Sequence, residues 1–226
     1  MFGVEVKPRM AVVLVTGLLG ASLVGGCSIN VPDPAVPAQE VTVPALATPT
    51  ITPGHDAEAV AAKDLPFSAG GTLAPGVPVG ISNGLKDAPG WKLAKDDVAG
   101  GSEYLKTDGC RVAAKVSTNQ SPLVRGGDRE STIALFTYLD PSILPEYLKT
   151  ETLRWGGDPE QPGPVVEVLA LEPPAAPGAK VTAIIARLFG TAGSSVYISV
   201  ACPDASALAA ARAEVTRRLL VVPPSN

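Results

Sequence analysis

The chain is poor in the side chains that most enzymes use for chemistry near neutral pH. It holds one histidine, His55, and 3 cysteines, Cys27, Cys110 and Cys202, in 226 residues. A multi-histidine metal site is excluded, and a histidine-based triad has a single candidate base. Basic residues are not in excess. Lys and Arg number 18 against 22 Asp and Glu, a net charge of -4 with a pI near 5.1, which argues against a phosphate-binding surface and hence against nucleic acid. The sequence contains no GxSxG elbow, no SxxK, no GxxxxGK[ST] loop and no HExxH. No catalytic residue, metal ligand or cofactor is therefore assigned. Aromatics are only 4%, while glycine and proline stand at 23 each, the composition of a modest core with long non-regular stretches. What remains is ordinary: 46% apolar and 18% charged residues, in a length suited to one domain or two small ones.

The N-terminus carries a delivery signal. Glu5, Lys7 and Arg9 precede an apolar run from Met10 to Val24. That run matches a signal-peptide core and falls short of the roughly 20 apolar residues a membrane span needs. Val24-Gly25-Gly26-Cys27 then resembles the bacterial lipobox, an aliphatic residue and two small ones before a cysteine. The resemblance implies that residues 1–26 are removed, that Cys27 carries a diacylglycerol and a further acyl chain such as palmitate, and that the chain sits at the outer, extracytoplasmic face of the cell membrane. Two or three acyl chains anchor durably where one binds only marginally.

Residues 27–66 read as a tether. Pro32, Pro34, Pro37, Pro44, Pro49 and Pro53 recur through it, denying helix and ladder hydrogen bonds and favouring extended polyproline II. Some 40 residues at about 3 Å each reach on the order of 100 Å from the membrane. His55 falls in this disordered spacer, which cannot hold a base in place.

Residues 67–226 are expected to form one α+β domain, an antiparallel sheet packed against helices. Trp91–Asp97 and Glu103–Thr107 read as strands around Gly100-Gly101. Asp108-Gly109 signals a hairpin into a third strand, Cys110–Ser117. Asp128 is placed to cap a helix running to Leu139, and Ser142 to cap a second running to about Trp155, with Pro145 in its first turn. Val165–Leu171, Val181–Phe189 and Ser195–Ala201 are β-rich, the last two forming a hairpin over Gly190 to Gly193. Asp204 caps a final helix that lines up Leu208, Ala211, Val215 and Leu219, and Pro223-Pro224 stops it.

Cys110 and Cys202 form a single pair in an exported chain, the pattern of a disulfide. Trp91, Trp155, Tyr104, Tyr138, Tyr147 and Tyr197 read as core plugs. Asp96 and Asp97 are neighbours on a strand and should face opposite ways, unsuited to joint acid/base work. Gly126-Gly127 precedes a helix start, but Asp128 and Glu130 oppose an anion there. The loops at residues 119–128 and 156–164 flank the two central helices and are long enough to form a rim, which makes Arg125, Asp128 and Arg129 the candidate binding residues.

From residue 78 to 222 the order of elements is similar to that of the LpqN/LpqT lipoproteins of actinobacteria, which have a PsbP-like fold. Gly90-Trp91 at the first strand, the hairpin Val181 to Cys202 and the helix Asp204 to Leu220 carry that likeness. The Cys110/Cys202 pair and the loop from Leu123 to Asp128 depart from it. The resemblance implies a non-enzymatic role at the cell envelope, binding a partner protein or ligand; the alternative is a hydrolase of envelope glycan or lipid that works through carboxylates. Replacing Cys27 by alanine should release the protein from the membrane fraction or leave unprocessed precursor. An intact mass without acyl addition in the wild type would refute the anchor.

Overall fold

In the computed structural model the described residues are 56–158 and 160–224. Cys27, the lipobox, His55 and most of the tether lie outside them. The architecture is α+β. Seven antiparallel strands form one sheet in the order β2-β3-β4-β8-β7-β6-β5: β2 Trp91–Val98, β3 Gly101–Lys106, β4 Arg111–Ser117, β5 Lys149–Arg154, β6 Val165–Leu171, β7 Val181–Phe189 and β8 Ser194–Cys202. A second, two-stranded ladder pairs β1 Gly80–Ile81 with β9 Val221–Val222. Among the described residues the helices are α1 Ala57–Ala61, α2 Asp128–Leu139 and α3 Ala205–Arg218.

The apolar alternation dictates the two faces. On one, α3 presses Leu208, Ala211 and Val215 against Val200, Ile198 and Ile185 of the sheet. Asp204 caps it, accepting the Ala207 N–H at 2.9 Å. Glu214 ties α3 to the β2 and β3 side, accepting from Trp91 Nε1 at 2.5 Å and Lys106 Nζ at 2.6 Å. Burial works against the charged form of Glu214, but these two hydrogen bonds together with the charges of Lys106 and Arg217 hold the carboxyl below its usual range. Arg212 ties the same helix to the far edge, with Nη2 2.7 Å from both oxygens of Glu151 on β5. On the other face, α2 sets Leu135 and Phe136 over Leu169, Leu171, Ala186 and Leu188.

The second central helix does not form. Residues from Pro145 make one 3-10 turn, Pro145–Tyr147, and then enter β5. The reason is visible in the side chains. Glu151, Leu153 and Trp155 alternate towards α3, with Leu153 and Trp155 buried, while the branched Thr150 and Thr152 suit a pleated strand. The edge of β6 then supplies six paired residues, Lys149↔Ala170 to Arg154↔Val165. Gly156 and Gly157, both with positive φ, end a strand rather than a helix. At the last helix, α3 stops at Arg218, before the prolines, and the chain continues into β9.

The core-plug reading of the aromatics holds for Trp91, Trp155 and Tyr104, holds in part for Tyr197, which is half-buried against the core under α2, and fails for Tyr138 and Tyr147. Tyr138 is 73% and Tyr147 55% exposed, because they follow the outer side of α2 and the connection to β5. Trp155 is fully buried, its Nε1 donating to the Val60 carbonyl at 3.1 Å, so residues ahead of Phe67 also pack on the domain.

Cys110 and Cys202 are joined, with Cα atoms 4.1 Å apart across a sequence separation of 92. They extend the β4–β8 register, in which Arg111 faces Ala201. The bridge links the first half of the sheet to the final hairpin. Replacing Cys110 by serine should lower unfolding stability by up to about 4–5 kcal/mol in the chain-entropy picture. Alkylation of both Cys110 and Cys202 in the unreduced, denatured protein, mapped by peptide mass, would contradict the bridge.

Candidate functional site

Of the residues expected to form a binding rim, Asp128 is buried, while Arg125 and Arg129 stay exposed. Gly127, not Asp128, is the N-cap of α2, and its N–H donates to Glu130 Oε2 at 3.2 Å. Asp128 is the first helical residue and is 5% exposed. One of its oxygens accepts from Arg187 Nη2 at 2.7 Å and Nε at 3.2 Å, and the other accepts the Gly190 N–H at 2.9 Å. Arg187, on β7, is fully buried between the rings of Phe67 and Phe189, 4.8 and 4.9 Å away. Its remaining donors reach the carbonyls of Leu65, Glu167 and Pro66. Burial pulls the Arg187 pKa below its ordinary value, and the Asp128 charge and hydrogen bond oppose that pull.

Arg129 donates to Thr150 at 2.7 Å and lies over the Phe67 ring. Asp128 and Arg129 border an open depression with Phe67, Ser68 and Glu167. Arg125 is exposed, but its Nη1 donates to the carbonyls of Pro122 and Val124 within its own loop. The 156–164 loop is engaged elsewhere: Gly156 N–H donates to Val221 O at 2.8 Å, and Arg154 Nη2 to Asp158 O at 3.1 Å. With β5 in place of the second helix, the two loops lose the element that was to bring them together.

A different concavity, not read from the sequence, lies at the other end of the sheet. It has a volume of about 450 Å³. One wall is residues 78–83, held by the chain's C-terminal end: β1 pairs with β9, and Ser82 N–H donates to Leu220 O at 2.9 Å. The floor is apolar, with Val79, Ile81, Tyr104, Ala114 and Val116. The opposite wall is the curled end of the β2–β3 hairpin.

That curl corrects the expectation for Asp96 and Asp97. The β2–β3 register shifts between Leu93 and Lys95 and again between Lys95 and Val98, two irregularities that break the strict alternation of faces. Asp97 adopts φ 43 and its N–H donates to Ser102 Oγ at 3.1 Å. Both aspartates therefore border the same cavity. The hairpin closes through Ala99 and Gly100, both with positive φ. A Cβ at Gly100 would lie 2.6 Å from the Val116 carbonyl oxygen, so only glycine lets the hairpin lie this close to β4. Burial pushes the Tyr104 pKa up, the Ser102 hydrogen bond opposes it and the Asp96 charge adds to it. Neutral, this hydroxyl both donates and accepts.

The chain matches no protein-family model and no curated protein. Among the described residues, no group of three or more His, Cys, Asp or Glu side chains is placed to hold a metal ion. No helix there is long and apolar enough to cross a membrane. The cavity thus offers an apolar floor, hydroxyls and two carboxylates, an arrangement suited to holding a small group by contact and charge.

The two places respond differently to substitution. Arg125→Ala should change stability by less than about 0.5 kcal/mol. Asp128→Ala leaves a buried guanidinium without its counter-charge and should cost about 3–5 kcal/mol. Chemical denaturation of both variants checks this, and equal, small effects would contradict the role given to Asp128.

Proposed function

We propose that this chain is a membrane-anchored extracytoplasmic lipoprotein whose domain binds an envelope partner protein or ligand and does not catalyse. In this reading residues 1–26 are an export signal, Cys27 bears the lipid, and the proline-rich segment holds the domain away from the bilayer. The Cys110–Cys202 disulfide supports an oxidising location outside the cytosol. The likeness to the LpqN/LpqT lipoproteins, one of sequence pattern over residues 78–222, belongs to this proposal, although β5 stands where that pattern has a second central helix.

The observation that carries the binding reading is the cavity between residues 78–83 and the β2–β3 hairpin. Its lining holds a buried apolar floor beneath exposed polar groups, and it includes no histidine, cysteine, lysine or arginine. A binding site asks for such contact and charge alone. General acid/base work would ask for more, a partner poised beside the reacting group.

One observation favours the second reading, a carboxylate-based hydrolase of envelope glycan or lipid: Asp96 and Asp97 border a single cavity. Site-specific photo-crosslinking in the native envelope separates the two. A crosslinker at Asn83, on the cavity rim, should capture a specific partner or lipid, whereas one at Arg125 should not. Turnover of an envelope glycan or lipid by the wild type, abolished by Asp96→Asn or Asp97→Asn, would show the hydrolase instead.

A further inference from the structure

The chemistry of the cavity also narrows what it holds, given the reading of this cavity as the binding site. Carboxylates on the sheet are otherwise engaged. Glu103 on β3 pairs with Lys95 and Arg111, Glu151 on β5 pairs with Arg212, and Glu167 on β6 accepts the Phe67 N–H. The side chains of Asp96 and Asp97 have neither an ion pair nor a hydrogen bond to any described residue. They stand at the mouth of a concavity whose lining includes no cation. A concave site lined by one sign of charge focuses its field more than a flat surface does, so it repels anions and concentrates cations.

Beneath the carboxylates the surface changes character. Val79 is 2%, Tyr104 1% and Ala114 4% exposed, and Ile81 and Val116 complete the floor. This depth suits methylenes and offers nothing to a hydrated metal ion. Asn83 on the rim offers a further acceptor, while the hydroxyls of Ser82 and Ser102 already accept the Leu220 and Asp97 N–H groups. The separation is therefore apolar below and negative above.

We propose that the cavity binds a cationic nitrogen, an ammonium or guanidinium group, borne on an apolar stem: the stem lies on Val79, Tyr104 and Val116, and the cation meets Asp96 and Asp97. A free amphiphilic amine and the lysine or arginine side chain of a partner peptide share this chemistry.

The experiment uses the full chain in detergent, with amide and side-chain NMR shifts to locate binding and titration to measure it. The probes are octylamine, octanol and octanoate, together with a capped short peptide carrying one lysine. Octylamine should shift Val79, Tyr104 and Val116 and should bind more tightly than octanol, with octanoate weakest. The Asp96→Asn/Asp97→Asn double variant should bind octylamine about tenfold more weakly, a loss of about 1.4 kcal/mol. Glu146→Gln, an exposed carboxylate away from the cavity, should leave affinity unchanged, and added salt should weaken binding. Binding by the lysine peptide at the same residues assigns the site to a protein partner, and binding by octylamine alone assigns it to a free amine; either supports the proposal. Octanol or octanoate binding as well as octylamine, an unaffected double variant, or shifts produced by calcium and not by either amine would overturn it while leaving a binding cavity. Failure of every probe to shift the cavity residues would overturn both this inference and the reading on which it rests.

Discussion

The Arg187 guanidinium fills a gap where the main sheet splits, and much of the domain is arranged around it. β6 pairs with β7 only over Leu169↔Ala186 to Leu171↔Ile184. Nearer its start β6 turns to another partner, as Leu65 inserts beside Val166 through hydrogen bonds of 2.8 and 3.1 Å. That leaves carbonyls of Leu65, Pro66 and Glu167 facing Arg187, which donates to all three. Asp128 supplies the opposing charge. It and Thr132 also take the N–H groups of Gly190 and Leu188, for which β6 offers no ladder partner there. A Cβ at Gly70 would overlap the Asp128 carboxylate, so the 3-10 turn Phe67–Thr72 requires glycine there to seat on α2. Burying the charges is costly in itself, and their net value lies in fixing which segments meet.

This arrangement decides where binding chemistry remains available. The start of α2 looks like a loop-and-helix rim in the sequence, but Asp128 and Arg129 there are committed to Arg187, Phe67 and Thr150. At the other end of the sheet, the β2–β3 hairpin curls away from regular pairing and residues 78–83 are held by β9, so polar groups are left around a concavity. The disulfide, α3 and β9 secure the frame on which that cavity is built. A buried ion pair at one end and unpaired carboxylates at the other are consequences of the same topology.

Much of this was legible in the residues. β6, β7 and β8 announce themselves through branched and large apolar side chains, and the β7–β8 turn through Gly190 and Gly193. The Asp204 cap and the spacing of Leu208, Ala211 and Val215 mark α3 clearly. β5 was misread because Ser142 and Pro145 imitate a helix start, while the decisive factor, an open β6 edge, belongs to the tertiary structure. The role of Asp128 was missed too, although Val181–Phe189 carried the signal: an arginine inside a nearly continuous apolar strand demands a buried acid. The cavity was not legible, because it depends on irregular pairing after Leu93 that sends Asp96 and Asp97 to one side. The run Asp96-Asp97-Val98-Ala99-Gly100-Gly101 hints at a turn but not at its curl.

Residue-resolved hydrogen exchange on the full chain, wild type against Asp128→Asn, tests most directly whether the Arg187–Asp128 pair organises these segments. Loss of the counter-charge should speed exchange at the start of α2 and, across the gap, at Phe67, Leu188 and Gly190. Amides beside the Cys110–Cys202 bridge should keep most of their protection. Faster exchange confined to the first turn of α2, with Phe67 and Gly190 unchanged, would contradict the account.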